Sequence, residues 1–304
     1  MSWPTSWRPD LSEEADPLDL GGPLLRRLER LTVHARRPFP GQAAGARRSP
    51  RTGSSVEFAD FRSYVPGDDF RRVDWNAYGR LDRLMLRLYH AEEDVCLTLW
   101  LDTSASMRWG TPDKSRFARR VAGGLAYAAL TGFDRVGAAG FADDGVRRMP
   151  PLRGRAAAPR LWRFIADLDG GGRTSFSAIA RAPRPLPGIS VIISDFLDED
   201  GPEPALAALR GARQDVLLLQ VLAPQELNPE LSGDIELEDI ESSRRVEMTV
   251  TPAVVASYRA ALEQHTERLA ALARAYGAGY EVISTDQPLD ALLTGEMRRL
   301  GILR

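Results

Sequence analysis

Three nearly uninterrupted apolar runs constrain this chain more than any other feature: VCLTLWLD at 95–102, ISVIISD at 189–195 and DVLLLQVLA at 215–223. A strand that is apolar at successive positions is buried on both faces, the condition of strands in a parallel sheet covered by helices. Helical patterns separate the runs. Ser115 is placed to cap a helix carrying Phe117, Val121, Leu125 and Ala128/Ala129 at helical spacing. Further helices are expected at 158–168, just after the GGGRTS loop, and at 202–212. A long one starts at Thr251-Pro252, runs through Val255, Tyr258, Leu262, Leu269, Leu272 and Tyr276, and stops at Gly277. More strands are expected at RVGAAGFA (135–142), in a short stretch reaching Met149 after an Asp143-Asp144-Gly145 turn, and at YEVIS (280–284). Residues 224–250 read as a loop plus hairpin around Ser242-Ser243, and a terminal helix completes the pattern. Alternating strands and helices of this kind define an α/β protein with a doubly wound, mainly parallel sheet.

The rest of the chain divides by composition. Residues 1–22 are acidic and proline-broken, which predicts disorder and does not match a secretory signal. Residues 23–55 hold a short helix, with Leu24, Leu25, Leu28 and Leu31 on one side, and then an Arg-rich Pro/Gly/Ser linker. Residues 56–94 form a segment of aromatics among arginines and aspartates, too short for its own core and expected to pack on the sheet. Asp68-Asp69 there are placed to pair with Arg71 or Arg72. The sheet domain is expected at 95–301, with the hairpin inserted at about 224–250.

No apolar run approaches the roughly 20 residues of a membrane-spanning helix, so a cytoplasmic location is expected. Cys96 is the only cysteine, which excludes an internal disulfide and a cysteine-based zinc site; it reads as a small buried hydrophobe. The formal net charge is -2, but eight arginines (26, 27, 30, 36, 37, 47, 48 and 51) stand against Glu29 alone between 26 and 51. That stretch lacks the interleaved aromatics of a single-strand binder and reads as a solvated or partner-facing surface.

Doubly wound sheets carry their sites at the carboxyl ends of strands. Oxygen ligands gather at such positions here. Asp102, Ser104 and Ser106 follow the first run at alternate positions, Thr174 or its neighbour Ser175 follows three glycines, Gly170–Gly172, and Asp195 ends the second run. Carboxylate and hydroxyl oxygens suit a hard cation, Mg²⁺ above all, with Mn²⁺ or Ca²⁺ as alternatives.

Asp102-x-Ser104-x-Ser106, Thr174 and Asp195 together resemble the metal-ion-dependent adhesion site of von Willebrand factor A domains. Upstream, Glu57-Phe58, Arg62-x-Tyr64-x-x-Gly67-Asp68-Asp69, Arg71 and Asp74-Trp75 resemble the bacterial "domain of unknown function 58" family, as does the late stretch Thr285-Asp286-Gln287-Pro288-Leu289. The resemblance spans about residues 47 to 295 and implies a von Willebrand factor A-like fold. It also implies a MoxR-type AAA+ ATPase partner, the two serines on the cation, the threonine joining when ligand binds, the aspartates acting largely through water, and a partner's Asp or Glu completing the octahedron. Many relatives carry N-terminal membrane helices; none is evident here. The family segment, Glu57 to Trp75, is expected to serve packing or partner contact.

The expected function is therefore non-catalytic: metal-dependent docking of an acidic residue of a partner protein, in complex assembly or maturation. A Mg²⁺-dependent phosphatase or hydrolase on the same sheet is the competing reading, and needs a nucleophile or base near the metal. His34, His90 and His265 all lie outside the three loops, and no phosphate-cradling or G-x-S-x-G motif is present. A nucleic-acid adaptor acting through the arginines of 26–51 is a third reading.

Overall fold

The structure, a computed structural model, describes residues 16–34, 58–65, 68, 70, 73–89, 96–132, 134–198, 201–238, 240 and 245–304. The chain forms two compact units, one of Met1–Arg37 with Val95–Arg304, the other of Pro38–Asp94. In chain order the first element is α1 (Gly22–Leu28), in the larger unit. The smaller unit holds β1 (Phe58–Ser63), α2 (Trp75–Leu81) and β2 (Met85–Tyr89). Back in the larger unit follow β3 (Cys96–Asp102), α3 (Lys114–Thr131), β4 (Arg135–Ala142), β5 (Gly145–Arg153), α4 (Ala158–Ala166), α5 (Phe176–Arg181) and β6 (Gly188–Ser194). Then come α6 (Glu203–Gly211), β7 (Gln214–Leu222), α7 (Pro224–Leu227), β8 (Gly233–Glu238), β9 (Arg245–Val250), α8 (Pro252–Tyr276) and β10 (Gly279–Ser284), with short helical turns over 289–299.

Six strands form one sheet in the order β10-β7-β6-β3-β4-β5, all parallel except β5, which runs antiparallel to β4. The apolar runs occupy its centre: every residue of β3 and β6 is buried. Alternate side chains of β3 point to opposite faces. Trp100 joins Phe141, Phe176, Ile192 and Phe196 in a core closed by α5, α6 and α8, while α3 packs with α4 and α1. A free cysteine, Cys96, is buried at the start of β3, and burial raises its thiol pKa. The expected strand to Met149 runs on to Arg153, because as a sheet edge β5 tolerates the missing amides of Pro150 and Pro151.

Residues 16–22, the described part of the stretch expected to be disordered, are ordered. From Asp16 onward the chain is fixed to the larger unit: the Asp16 carboxylate accepts from the amides of Leu20 and Gly21, and Leu18 and Leu20 are buried. The receiving surface is the Gly123-Gly124 pair inside α3. A Cβ at Gly123 would fall on the Leu18 side chain and one at Gly124 on Leu293. Two mid-helix glycines each cost about 1 kcal/mol against alanine; here they let two leucines seat directly on the helix backbone. Residues 32–34 pair with 302–304 through an antiparallel bridge, Val33 to Leu303, so the unit also extends past 301 to Arg304.

The smaller unit is an antiparallel pair, β1 with β2, followed through an isolated bridge from Val73 to Leu86. Asp74 caps α2, its carboxylate accepting from the amides of Asn76 and Ala77. Asp68 accepts from the Val65 amide and pairs with Arg62 at 2.8 Å, which together hold its carboxyl below the usual range; the expected partners Arg71 and Arg72 lie outside the described residues. Tyr64 is half-buried, and Phe70 and Trp75 lie on the surface. Glu57, Gly67, Asp69 and Arg71 of the same family motif lie outside the described residues, as do 1–15 and most of the Arg-rich linker. No helix among the described residues is long and apolar enough to cross a membrane.

Candidate functional site

The chain leaves β3 through α3 for β4 on one side of the sheet, and later enters β6 on the other side of β3. The carboxyl ends of β3 and β6 thus flank the point where strand order reverses, where a doubly wound sheet opens a crevice. Asp102 is the last residue of β3, and Asp195 directly follows β6.

The Asp102 loop curls back over its strand. One carboxylate oxygen, Oδ1, accepts from the Ser104 amide at 2.9 Å. The other, Oδ2, accepts from the hydroxyls of Thr174 at 3.1 Å and Ser194 at 2.6 Å. Ser104 Oγ and Ser106 Oγ lie 3.0 Å apart. Asp102, Ser104, Ser106 and Thr174 are therefore brought together, and Ser194 joins them. Ser175 does not take part; it stands at the start of α5 without a side-chain cap bond. The glycine loop makes the approach possible. Gly172, at φ 71°, accepts from the Ala105 amide through its carbonyl, and a Cβ at Gly170 would fall on the Thr103 carbonyl oxygen.

Asp195 is engaged differently. Its Oδ1 accepts from the Leu197 amide and its Oδ2 from the Lys114 ammonium at 2.8 Å. Lys114 also donates to Glu226 of α7 at 2.6 Å. It is the only lysine in the chain, and its side chain is 2% exposed. Burial lowers its pKa, but the charges of Asp195 and Glu226 outweigh that and raise it overall, so it is an ammonium at any ordinary pH. Asp102 moves the opposite way from a typical carboxyl. Burial first, and the charge of Asp195 second, push it up to about 7 against the hydroxyl and amide donors around it.

Beyond the acids, Phe196 is held at φ 56°, an uncommon backbone for a bulky residue. Its amide donates to Ser194 Oγ, its carbonyl is 2.8 Å from His265 Nε2, and its ring stacks on Phe176. His265 thus has a structural partner next to the site. At the helix start, the capping role expected of Ser115 belongs to Asp113, whose carboxylate accepts from the Arg116 amide. That two-residue difference matters, because it places Lys114 rather than Arg116 as the first residue of α3.

Lys114, Glu226 and Ser194 are the members of the cluster that motif spacing does not reveal. A signal for Lys114 exists: it lies three and seven residues before Phe117 and Val121, on the buried stripe of its helix. A charge on that stripe must be paired. Its partners are 81 and 112 residues away, which spacing cannot supply.

Among the described residues no three His, Cys, Asp or Glu side chains are disposed to hold a metal ion. A cation here would rest on hydroxyls with Asp102 and Asp195. The donor chemistry fits a divalent ion. With all acids ionised, three carboxylates (Asp102, Asp195, Glu226) face one ammonium, leaving two negative charges in a buried cluster. Burial first, and the Asp195 charge second, raise the Asp102 pKa, and a bound divalent ion would favour its ionised form.

Fold and site define a doubly wound α/β protein with a buried acid–hydroxyl–ammonium cluster at its switch point. The chain belongs to the family described as protein of unknown function DUF58, whose family model matches residues 60–268. It is 32% identical over 273 residues to an uncharacterized protein of Mycobacterium tuberculosis, covering 86% of this chain and 84% of that one. A shorter uncharacterized protein of Mycobacterium avium is 30% identical over 165 residues, 51% of this chain and 96% of its own. Among solved structures, an aerotolerance-related membrane protein from Bacteroides fragilis overlaps 68% of this chain and 98% of its own, at 16% identity and TM-score 0.44. The conserved hypothetical protein BatB from Bacteroides thetaiotaomicron overlaps the same shares at 17% identity and TM-score 0.41.

Proposed function

We propose that this chain is a non-catalytic, metal-dependent protein-binding protein of von Willebrand factor A type, in which Mg²⁺ held at the end of β3 captures a carboxylate of a partner. The observation that carries the reading is the pair of Ser104 and Ser106 hydroxyls, 3.0 Å apart, beside the buried carboxylates of Asp102 and Asp195. The two serines and Thr174 would hold the ion, with Asp102 and Asp195 balancing its charge. A cation whose near ligands are neutral hydroxyls remains a strong acceptor for an external carboxylate.

The chain's own residues have clear parts in this. Ser194 and the Ser104 amide orient Asp102, the glycine loop brings Thr174 alongside, and Lys114 fixes Asp195. Asp102 is a poor nucleophile in this arrangement, being 3% exposed with both oxygens occupied, which favours docking over phosphoryl chemistry. The resemblance drawn from the motifs makes a MoxR-type AAA+ ATPase the partner of choice, in the cytoplasm.

Co-purification of the full chain with such an ATPase, in Mg²⁺ and in EDTA, tests the reading. We expect capture in Mg²⁺, loss in EDTA, and loss in Ser104→Ala. A melting temperature unmoved by millimolar Mg²⁺ sinks the metal site. Capture indifferent to EDTA sinks its role in docking.

A further inference from the structure

Charge is divided between the two edges of the six-stranded sheet. From Gly145 to Arg184, a span holding the edge strand β5 and the helices α4 and α5 that pack on it, nine arginines stand against Asp167 and Asp169. From Glu230 to Thr249, the span of the β8–β9 hairpin, seven acids stand against Arg244 and Arg245. The hairpin is inserted between β7 and β10, the two strands of the opposite edge. Five interstrand spacings of about 4.8 Å set those edges ~24 Å apart.

The hairpin has little support from its own chain. Its register puts Ile235 opposite Met248 and Leu237 opposite Val246, all four on one face. Leu237 and Val246 are 44% and 47% exposed, and no described residue from Gly233 to Thr249 is buried. A two-stranded ribbon with an uncovered apolar face is marginal by itself. The other face carries Asp234, Glu236, Glu238 and Glu247 around Arg245, which lies 3.6 Å from Glu236 and 3.0 Å from Glu238. Glu236 stands directly opposite Glu247, and like charges so placed oppose the pairing of the strands. Such a ribbon calls for a cover that is basic on one side and apolar on the other.

The β5 edge has that composition. The helices α4 and α5 flank it on opposite faces of the sheet. On the α4 side, Arg147 of β5 lies over Phe164, and Arg160 is one helical turn from Phe164. Arg160 and Arg163 are exposed and have no ion-pair partner among the described residues. On the α5 side, Arg148 donates to the Pro183 carbonyl, and Leu186 is 45% exposed.

We propose that copies of this chain associate head to tail, the β8–β9 hairpin of one copy lying edge-on against β5 of another. Its acidic face then runs along Arg160 and Arg163, and its apolar face turns toward Leu186. Each patch meets its complement only on a second copy, because within one chain the two belong to opposite edges of the sheet. The inference is independent of any cation.

The test is sedimentation velocity of the full chain in EDTA, over a concentration series at low salt and again at ~0.5 M salt. At low salt the mean mass should rise with concentration, and the added salt should return it toward the monomer. Glu236→Lys/Glu247→Lys and Arg160→Glu/Arg163→Glu should each stay monomeric alone. Mixed in equal amounts they should form a one-to-one dimer and nothing larger, since each keeps the patch that the other has lost. That mixture needs only the basic edge of the first variant and the hairpin of the second, so a hairpin distorted by its own substitutions does not blunt the test. A wild type that is monomeric throughout overturns the proposal. So does association that either variant retains alone, or a mixture that stays monomeric while wild type associates.

Discussion

Replacing Lys114 by methionine is the most informative single perturbation of this protein. Methionine keeps most of the side-chain volume, so the lost quantity is the ammonium that neutralises Asp195 at 2.8 Å and Glu226 at 2.6 Å. Asp195 is fully buried and Glu226 is 11% exposed, so neither recovers its lost interaction from water. Removing one partner of a buried ion pair costs about 3–5 kcal/mol. In a unit of this size each kcal/mol moves the melting temperature by ~2–4 °C, which puts the expected drop between about 6 and 20 °C. The assay is thermal unfolding in EDTA at neutral pH, followed by circular dichroism. Adding Glu226→Gln should recover part of the loss, because the two sites share one ion and their effects do not add. Adding millimolar Mg²⁺ should raise the variant's melting temperature more than the wild type's, since the cluster then lacks one more positive charge. A Lys114→Met protein melting within 2 °C of wild type refutes the structural role assigned to the ammonium. Equal Mg²⁺ shifts in the two proteins refute its electrostatic link to the candidate cation site.

Other consequences are equally open to measurement. Asp102 has a folded-state pKa raised from 3.8 to about 7, so its contribution favours folding below pH 4 and is lost as pH rises toward 7. In EDTA, Asp102→Asn should therefore gain on wild type as pH rises from 5 to 8, by up to roughly 3 kcal/mol; urea midpoints that change in parallel contradict this. Gly170→Ala drives a Cβ into the Thr103 carbonyl and should destabilise by about 1–3 kcal/mol, with a Mg²⁺-induced melting shift smaller than wild type's. A Mg²⁺ shift of wild-type size in this variant would show that the glycine loop does not set the site. His265→Phe removes the partner of the Phe196 carbonyl and should cost about 1–3 kcal/mol in urea unfolding; no loss would mean that water or another donor replaces it.

Much of the fold was legible because burial on both faces leaves a continuous apolar signature, and β3, β6 and β7 all carry it. Helix α8 was equally plain, from Thr251-Pro252 at one end to a left-handed Gly277 at the other. The misses have physical causes. Disorder was expected through residue 22 because acids and prolines dominate there, yet Leu18 and Leu20 find a groove that exists only after α3 has formed. Asp113 and Ser115 are both capping residues two positions apart, and composition alone does not choose between them. In the site, the Asp102 loop was readable because its residues are local. Lys114 and Glu226 were not, because a pairing across 112 residues has no spacing to recognise.

The pairing of residues 32–34 with 302–304 bears on how the molecule is made. Thr32 and His34 donate their amides to the carbonyls of Arg304 and Ile302, and the Arg304 amide donates back to Thr32. An N-terminal stretch therefore acquires its strand partner only after some 270 further residues have been synthesised. Leu18, Leu28 and Leu31, which are buried in the finished unit, spend translation without all their final neighbours. Contacts of such long sequence separation are the slow ones to form. During synthesis the segment therefore waits with an apolar face uncovered until residues 302–304 arrive.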